Sequence, residues 1–179
     1  MTESNTDNKP GLFIRRLENL DAAGRARLKR NAGRGLAEAR DVVGLFYSIL
    51  PSGVDAWDVD RYFLLATLYP LAAGGGSGSF GNSLRMIRND SNSKGLDRRV
   101  EHLLDADREQ LPFRLRQSLH YLQGQRGSVA WQRFLADLLA WDHPARRTQR
   151  RWAEDYFAGH AAVKAGVDEP ESAESGQSS

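Results

Sequence analysis

The 179-residue chain contains no cysteine, which removes disulfides, thiolate nucleophiles and Cys-ligated zinc or iron–sulfur centres. β-formers are scarce as well. Val, Ile and Thr together number 15 against 43 Leu and Ala, a balance that favours helix over sheet throughout. No apolar run approaches the roughly 20 residues needed to cross a bilayer, and the polar start MTESNTDNKP lacks the pattern of a signal peptide. These absences predict a cytoplasmic protein with no membrane partner. The four histidines, His102, His120, His143 and His160, show neither H-x-x-x-H nor H-E-x-x-H spacing, so no metal centre is expected. No G-K-[ST] follows a glycine-rich run, and no nucleophile elbow is visible. Asp105, Asp107 and Glu109 form the densest acidic group of the body, but without the glycine and length of a calcium loop they read as a helix-to-helix turn. Neither a cofactor nor catalysis is expected.

What the chain does have is arginine. Only Lys9, Lys29, Lys94 and Lys164 are lysines among 25 basic residues, and guanidinium forks suit bidentate phosphate contacts better than ammonium groups do. The formal net charge of +2 conceals an asymmetry. The last fifteen residues, AGVDEPESAESGQSS, hold four acids and no base, and residues 1–10 hold two acids and one base. Both ends have the composition of solvated, disordered chain. The body between them keeps 24 basic and 17 acidic residues.

Hydrophobic periodicity places helices along that body. Phe13, Leu17 and Leu20 open it, and Val42, Leu45, Phe46 and Leu50 continue until Pro51. DVDRYFLLATLYPLAA reads as a more buried helix. Beyond it, GGGSGS at residues 74–79 reads as flexible chain. The loop NDSNSKG, residues 89–95, is the expected boundary between two lobes. Three amphipathic helices follow, with apolar positions Val100, Leu103, Leu104; Leu111, Leu115, Leu119, Leu122; and Trp131, Phe134, Leu135, Leu138, Leu139. The expected architecture is all-α, two small helical-bundle lobes: a disordered N-terminus at 1–10, lobes at 11–94 and 95–162, and an acidic disordered tail at 163–179.

Gly76, Gly78 and Gly81 match G-x-G-x-x-G, with Glu101 about 20 residues on, as a dinucleotide fingerprint asks. That motif works only between a strand and a helix of a parallel sheet. Nothing else in the chain reads as strand, so a mobile Gly/Ser loop is the expectation.

The basic residues recur in groups. Arg25, Arg27, Lys29, Arg30 and Arg34 crowd the stretch RARLKRNAGR; Arg85 and Arg88 lie one turn apart; Arg98 and Arg99 open LDRRVEHLL; Arg114 and Arg116 flank Leu115. Last comes HPARRTQRRWAEDYF. At about 100° per residue, Arg146, Arg147, Arg150 and Arg151 cover one arc, with Ala145, Trp152 and Tyr156 opposite. Asp142 is the one acid four residues ahead of any of them, so most of this charge needs a partner from elsewhere. If the groups converge, they form a positive surface that takes affinity from phosphate neutralisation and not from base identity. A helical interaction module binding an acidic protein partner would use the same arginines.

The order of features, FGNSLRMIR, then LDRRVEHLLDADREQLPFRLRQSLHYL, then WQRFLADLLAWDHPARRTQRRWAEDYF, resembles the CasB family. CasB is the small subunit of Cascade, the type I-E CRISPR surveillance complex. The early L-K-R followed by A-R-D-V-x-x-x-F-Y belongs to the same likeness, which spans roughly residues 11–160. The resemblance implies a non-enzymatic helical protein associating head to tail with its own copies beside other Cascade subunits. It also implies basic surfaces that hold guide RNA and the target and non-target DNA strands of the R-loop without sequence preference, in antiviral defence. Residues matching on this basis are Lys29, Arg30, Arg85, Arg98, Arg99, Arg116 and the quartet Arg146, Arg147, Arg150 and Arg151. Arg88 joins them as the partner of Arg85 one turn away. Base pairing, not this subunit, would read the sequence.

The Leu/Ala excess gives the first test. Far-ultraviolet circular dichroism of the purified chain should be dominated by helix, and a strand-dominated spectrum would contradict the assignment.

Overall fold

The computed structural model describes residues 8–165, the last seven through their backbone alone. Among the described residues the chain is all-α, as expected, and forms no sheet. The helices are α1 (Lys9–Glu18), α2 (Ala22–Arg30), α3 (Val43–Ile49), α4 (Val59–Leu68), α5 (Phe80–Met86), α6 (Ser93–Leu104), α7 (Leu111–Gly124), α8 (Trp131–Leu139) and α9 (Arg147–Ala165). Short 3-10 turns occur at Leu36–Glu38 and Tyr69–Leu71. Helix α1 starts two residues inside the segment expected to be disordered, and α9 runs three residues into the expected tail. The rest of those two expectations, residues 1–7 and 166–179, lies outside the described residues.

Local chemistry sets the helix starts. Asn8 and Asp21 accept from the amides of Gly11 and Gly24 at 3.0 and 2.7 Å, satisfying donors that the first turn leaves open. Ser79 and Asn82 form a reciprocal capping box on α5. Pro10 and Pro112 occupy the first turns of α1 and α7, where a missing amide hydrogen costs nothing.

Helix α4 is buried at every position from Arg61 to Leu68, so it is the axis of the fold, and α1, α2, α3, α7 and α8 gather around it. Phe13 of α1 meets Tyr62 edge-on at 4.9 Å, and Phe46 of α3 meets Phe63 at 5.2 Å. A second aromatic group joins α5, α8 and α9, where the Phe80, Phe134 and Trp152 rings lie 5.0 to 5.8 Å apart and Trp141 closes on Trp152 at 5.2 Å. The buried side chains of both groups belong to one continuous core.

The glycine-rich segment is not the loose spacer its composition suggests. Ala73 and Ser128 form a parallel bridge, the Val129 amide donates to Ala73 O at 2.9 Å, and a Cβ on Gly76 would lie 2.8 Å from Ser128 O. Gly78 holds φ at +75°, a conformation open to glycine at no cost. Gly81 opens α5 against the backbone of Trp152, where a Cβ would come within 2.3 Å of a carbonyl oxygen. Gly76 and Gly81 of the G-x-G-x-x-G match therefore serve close backbone packing, and Gly78 serves a left-handed turn. Among the described residues no strand precedes them to make a dinucleotide turn.

Asp137 fastens α9 to α8. Its carboxylate is 2% exposed, accepts from Trp152 Nε1 at 2.6 Å and Arg133 Nε at 3.3 Å, and pairs with Arg151. Its backbone carbonyl accepts from Thr148 Oγ1 at 3.3 Å. Burial of a carboxylate is tolerable only with such donors around it.

Trp152 is 1% exposed and Arg150 lies on the outer face of the same helix. Trp152→Ala should therefore lower stability by about 3–5 kcal/mol. Arg150→Ala should stay within about 0.5 kcal/mol of the parent. Denaturant melts of the two variants measure the difference, and equal losses would reverse the faces assigned to α9.

Candidate nucleic-acid interface

Helix α9 begins at Arg147, so Arg146 and Ala145 belong to the turn before it. Ala145 is exposed, correcting its expected place on the buried face, which consists of Thr148, Gln149, Trp152 and Tyr156. Arg146, at φ +48°, sends its guanidinium back to the carbonyl of Leu104 at the end of α6. Arg151 pairs with Asp137. Asp142, expected to face Arg146, instead accepts from the buried guanidinium of Arg61 at 2.6 Å. The quartet thus divides. Arg147 and Arg150 point outward without an ion pair among the described residues, whereas Arg146 and Arg151 spend donors on the fold.

Arg88 is also committed. Its fork meets both oxygens of Asp97 at 2.9 and 3.0 Å, and the Tyr156 hydroxyl donates to the same carboxylate at 2.7 Å. The Asp97 hydrogen bond holds Arg88 more firmly in its charged form. Burial, then the bond to Asp97, pushes the Tyr156 phenol well above its usual range. Arg30 has a looser tie to Asp41 at 3.3 Å. Asp41 lies below the usual carboxylate range because Asn31 and then Arg30 hydrogen-bond its charged form, against an opposing desolvation effect.

The remaining cations are brought together by α7. Two polar stripes run along this helix, one on each side of its buried face of Leu111, Leu115, Ser118, Leu119 and Leu122. On one side Arg116 packs beside Gly33 just beyond α2, and its charge and that of Lys29 both act on His120. Arg25, Lys29 and Gln123 line a neighbouring cleft of about 410 Å³. On the other side Arg114 and Gln117 meet Arg98, Arg99 and His102 of α6 around a smaller cleft of about 220 Å³. The Arg99 guanidinium lies 5.0 Å over the Tyr121 ring, a cation–π arrangement that fixes its plane. Neither α2 nor α7 contains an acidic residue. Lys29, Arg98, Arg99 and Arg116 therefore converge as two groups on either side of α7. Arg85 on α5 and Arg147 and Arg150 on α9 are exposed, and no contact draws them into either group.

Arg25 and Arg114 are the additions. Both stood in the sequence groups: Arg25 lies one turn before Lys29 on α2, whereas only the fold puts Arg114 beside Arg99. The signal in the sequence was the spacing of Arg114, Gln117 and Tyr121, which share one side of a helix.

Among the described residues no group of three His, Asp or Glu side chains is placed to hold a metal ion, and no helix is long and apolar enough to cross a membrane.

A family model described as CRISPR-associated protein Cse2 matches residues 24–157. A curated CRISPR-associated protein Cse2 of Thermus thermophilus is 33% identical over 103 residues, and the match spans 58% of this chain and 59% of that relative's length. The crystal structure of M. ruber CasB superimposes with a TM-score of 0.73 at 27% identity, covering 89% of this chain and 98% of the other. A chain of a CRISPR RNA-guided surveillance complex gives the same TM-score at 17% identity over 89% and 98% of the two chains, a likeness of fold alone.

His120 offers a test of the α2–α7 group. Partial desolvation, then the charges of Arg116 and Lys29, lower its pKa from the ordinary value. The folded state thus binds the proton less readily than the unfolded state. Stability is full above about pH 6.5 and falls as the pH drops from there through the lowered folded pKa. An NMR titration should place the His120 midpoint below that of a free histidine, and Arg116→Gln should raise it. An unmoved midpoint would mean that Arg116 and His120 are not neighbours in solution.

Proposed function

The chain belongs to the CRISPR-associated Cse2 family, and from that premise we propose that it is a non-catalytic subunit of the type I-E Cascade complex, holding nucleic acid without sequence preference in antiviral defence. The observation that carries this reading is the acid-free junction of α2 and α7, continued onto α6. It concentrates Arg25, Lys29, Arg116, Arg98, Arg99 and Arg114 on two sides of a single helix. Unpaired cations so close together repel one another, and a polyanion reverses the sign of that energy while releasing its own counterions.

Guide RNA and the target and non-target DNA strands are the proposed ligands. Lys29, Arg30, Arg85, Arg98, Arg99, Arg116, Arg147 and Arg150 supply phosphate contacts. Arg88, Arg146 and Arg151 act chiefly by holding α5, α6 and α9 in place, because their donors already meet Asp97, Leu104 and Asp137. Other Cascade subunits and further copies of this chain, arranged head to tail, are the proposed protein partners. Trp57 and Met86, 74% and 85% exposed, are large apolar side chains of the kind that anchor such contacts. The two-lobe division near residue 94 belongs to the same proposal, with α5 crossing it to pack on α9.

Mobility shifts over a salt series test the reading. Arg147→Ala combined with Arg150→Ala should weaken binding to unrelated sequences alike. It should reduce the log–log salt slope by about 0.7 per charge on single strands and about 0.9 on duplex. Arg15→Ala, on α1 and outside the basic groups, serves as the control. If the double variant binds as the control does at every salt concentration, the outer face of α9 is solvated or meets an acidic protein.

A further inference from the structure

Charge is segregated along this chain. Residues 166–179, which follow α9, carry Asp168, Glu169, Glu171 and Glu174 and no basic residue. On α6, Lys94, Arg98 and His102 recur at every fourth position and are all exposed, so they form one stripe. Beside the stripe lies the cleft shared with α7, lined by Gly95, Arg98, Arg99, His102, Arg114 and Gln117 and by no carboxylate. Lys94, Arg98, Arg99 and Arg114 make no ion pair among the described residues.

Helix α9 delivers the acidic segment to this place. The Tyr156 hydroxyl donates at 2.7 Å to Asp97, the neighbour of Arg98 on α6, and α9 ends at Ala165, about 14 Å further along its axis. The way back to α6 is that length plus one helix-to-helix step, roughly 17 Å in a straight line. Extended chain from Ala165 spans up to about 20 Å to Glu171 and about 30 Å to Glu174, so both acids reach the stripe. Arg147 and Arg150 lie at the other end of α9, about 23–27 Å back from Ala165, and the α2 group lies across α7.

We propose that residues 168–174 dock on the Lys94, Arg98 and His102 stripe as an internal polyanion, and that they hold this face of the protein until a nucleic acid displaces them. Only the identity of the competitor rests on the nucleic-acid reading above. Exposed pairs between carboxylates and cations are individually weak, but a tethered ligand meets its site at an effective concentration of order millimolar. Weak pairs therefore suffice. Extended chain advances about 3.4 Å per residue, close to the axial spacing of phosphates along one strand, so the acids present charge on a similar rhythm. A long polynucleotide that engages several basic groups at once displaces four carboxylates, whereas a short strand held at α6 alone competes with them poorly. Competition of this kind selects for extended contact and keeps the free chain off short or loosely held strands.

The test uses the full chain. Because it has no cysteine, Ser172→Cys places a nitroxide label at one site among the acids. At low salt, paramagnetic broadening should centre on the amides of Lys94, Arg98, His102 and Gln117, spare Arg15 and Arg147, and fade when salt or a single-stranded thymidine oligonucleotide is added. Asp168→Asn, Glu169→Gln, Glu171→Gln and Glu174→Gln combined should tighten binding of a short single strand several-fold at low salt and converge on the parent at high salt. Removing four acids also makes the whole molecule more attractive to a polyanion, so the same four changes are repeated in an Arg98→Gln background. There the gain should be clearly smaller, and Arg98 is exposed, so its replacement leaves the core intact. Broadening that is absent or spread evenly over the surface would overturn the docking, and a lowered salt slope in the Arg147/Arg150 double variant would leave the nucleic-acid reading standing. Broadening at the stripe with equal gains in both backgrounds would overturn the competition. If neither parent nor variants bind any strand, the nucleic-acid reading fails and takes the competition with it, while the broadening still decides whether the acidic segment docks.

Discussion

The carboxylate of Asp137 is the constraint on which the rest of the C-terminal architecture depends. It is buried on α8, and it is kept there by groups that all belong to α8 or α9: the Trp152 indole, Arg133 and Arg151. An unpaired carboxylate in that position would be prohibitive, so α9 can dock only in the register that delivers Trp152 and Arg151 together. That register brings Tyr156 to Asp97 and thereby to Arg88, which links α9 to α6 and to the end of α5. It also lays the backbone of Trp152 against Gly81. One acid thus fixes the positions of three helices, and the outward direction of Arg147 and Arg150 follows from the inward direction of Trp152.

Helix α7 has the complementary role. Its leucines enter the core while its two flanks carry cations toward α2 and toward α6. Neither flank would be a basic surface by itself. Residues about ninety positions apart, such as Lys29 and Arg116, become one electrostatic group because the leucine stripe leaves α7 a single way to lie on α4. Packing therefore decides the charge pattern, and the charge pattern decides the chemistry available at the surface.

How much of this was legible in the sequence depends on the range of the interaction. Leu111, Leu115, Leu119 and Leu122 are all buried, as are Trp131, Phe134, Leu135 and Leu138, because helical periodicity is a local property written in every turn. The all-α class followed from the same signal. Partners of the arginines were not legible. Arg61 with Asp142, Arg88 with Asp97 and Arg151 with Asp137 join different elements, and no spacing rule spans them. The glycine-rich segment misled for a related reason: composition records backbone freedom, whereas the parallel bridge to Ser128 arises from what the fold brings alongside. Within the basic groups, the sequence found the right helices but could not separate guanidiniums that brace the fold from those that remain available.

The bridge between Ala73 and Ser128 has a further consequence, for the order in which a nascent chain can finish folding. Helix α1 packs on α8, Gln132 reaches Asn8 across 124 positions, and α5 finds its main partner in α9. The helices made first therefore cannot complete their burial until the last two have left the ribosome. While synthesis proceeds, Phe80 and Leu84 on α5 have no native cover, and such exposed apolar surface in an incomplete chain invites association with other chains. Arginines that repel one another in the finished protein also repel between neighbouring nascent chains, so the charge that equips the surface for a polyanion doubles as protection during the interval before α9 arrives.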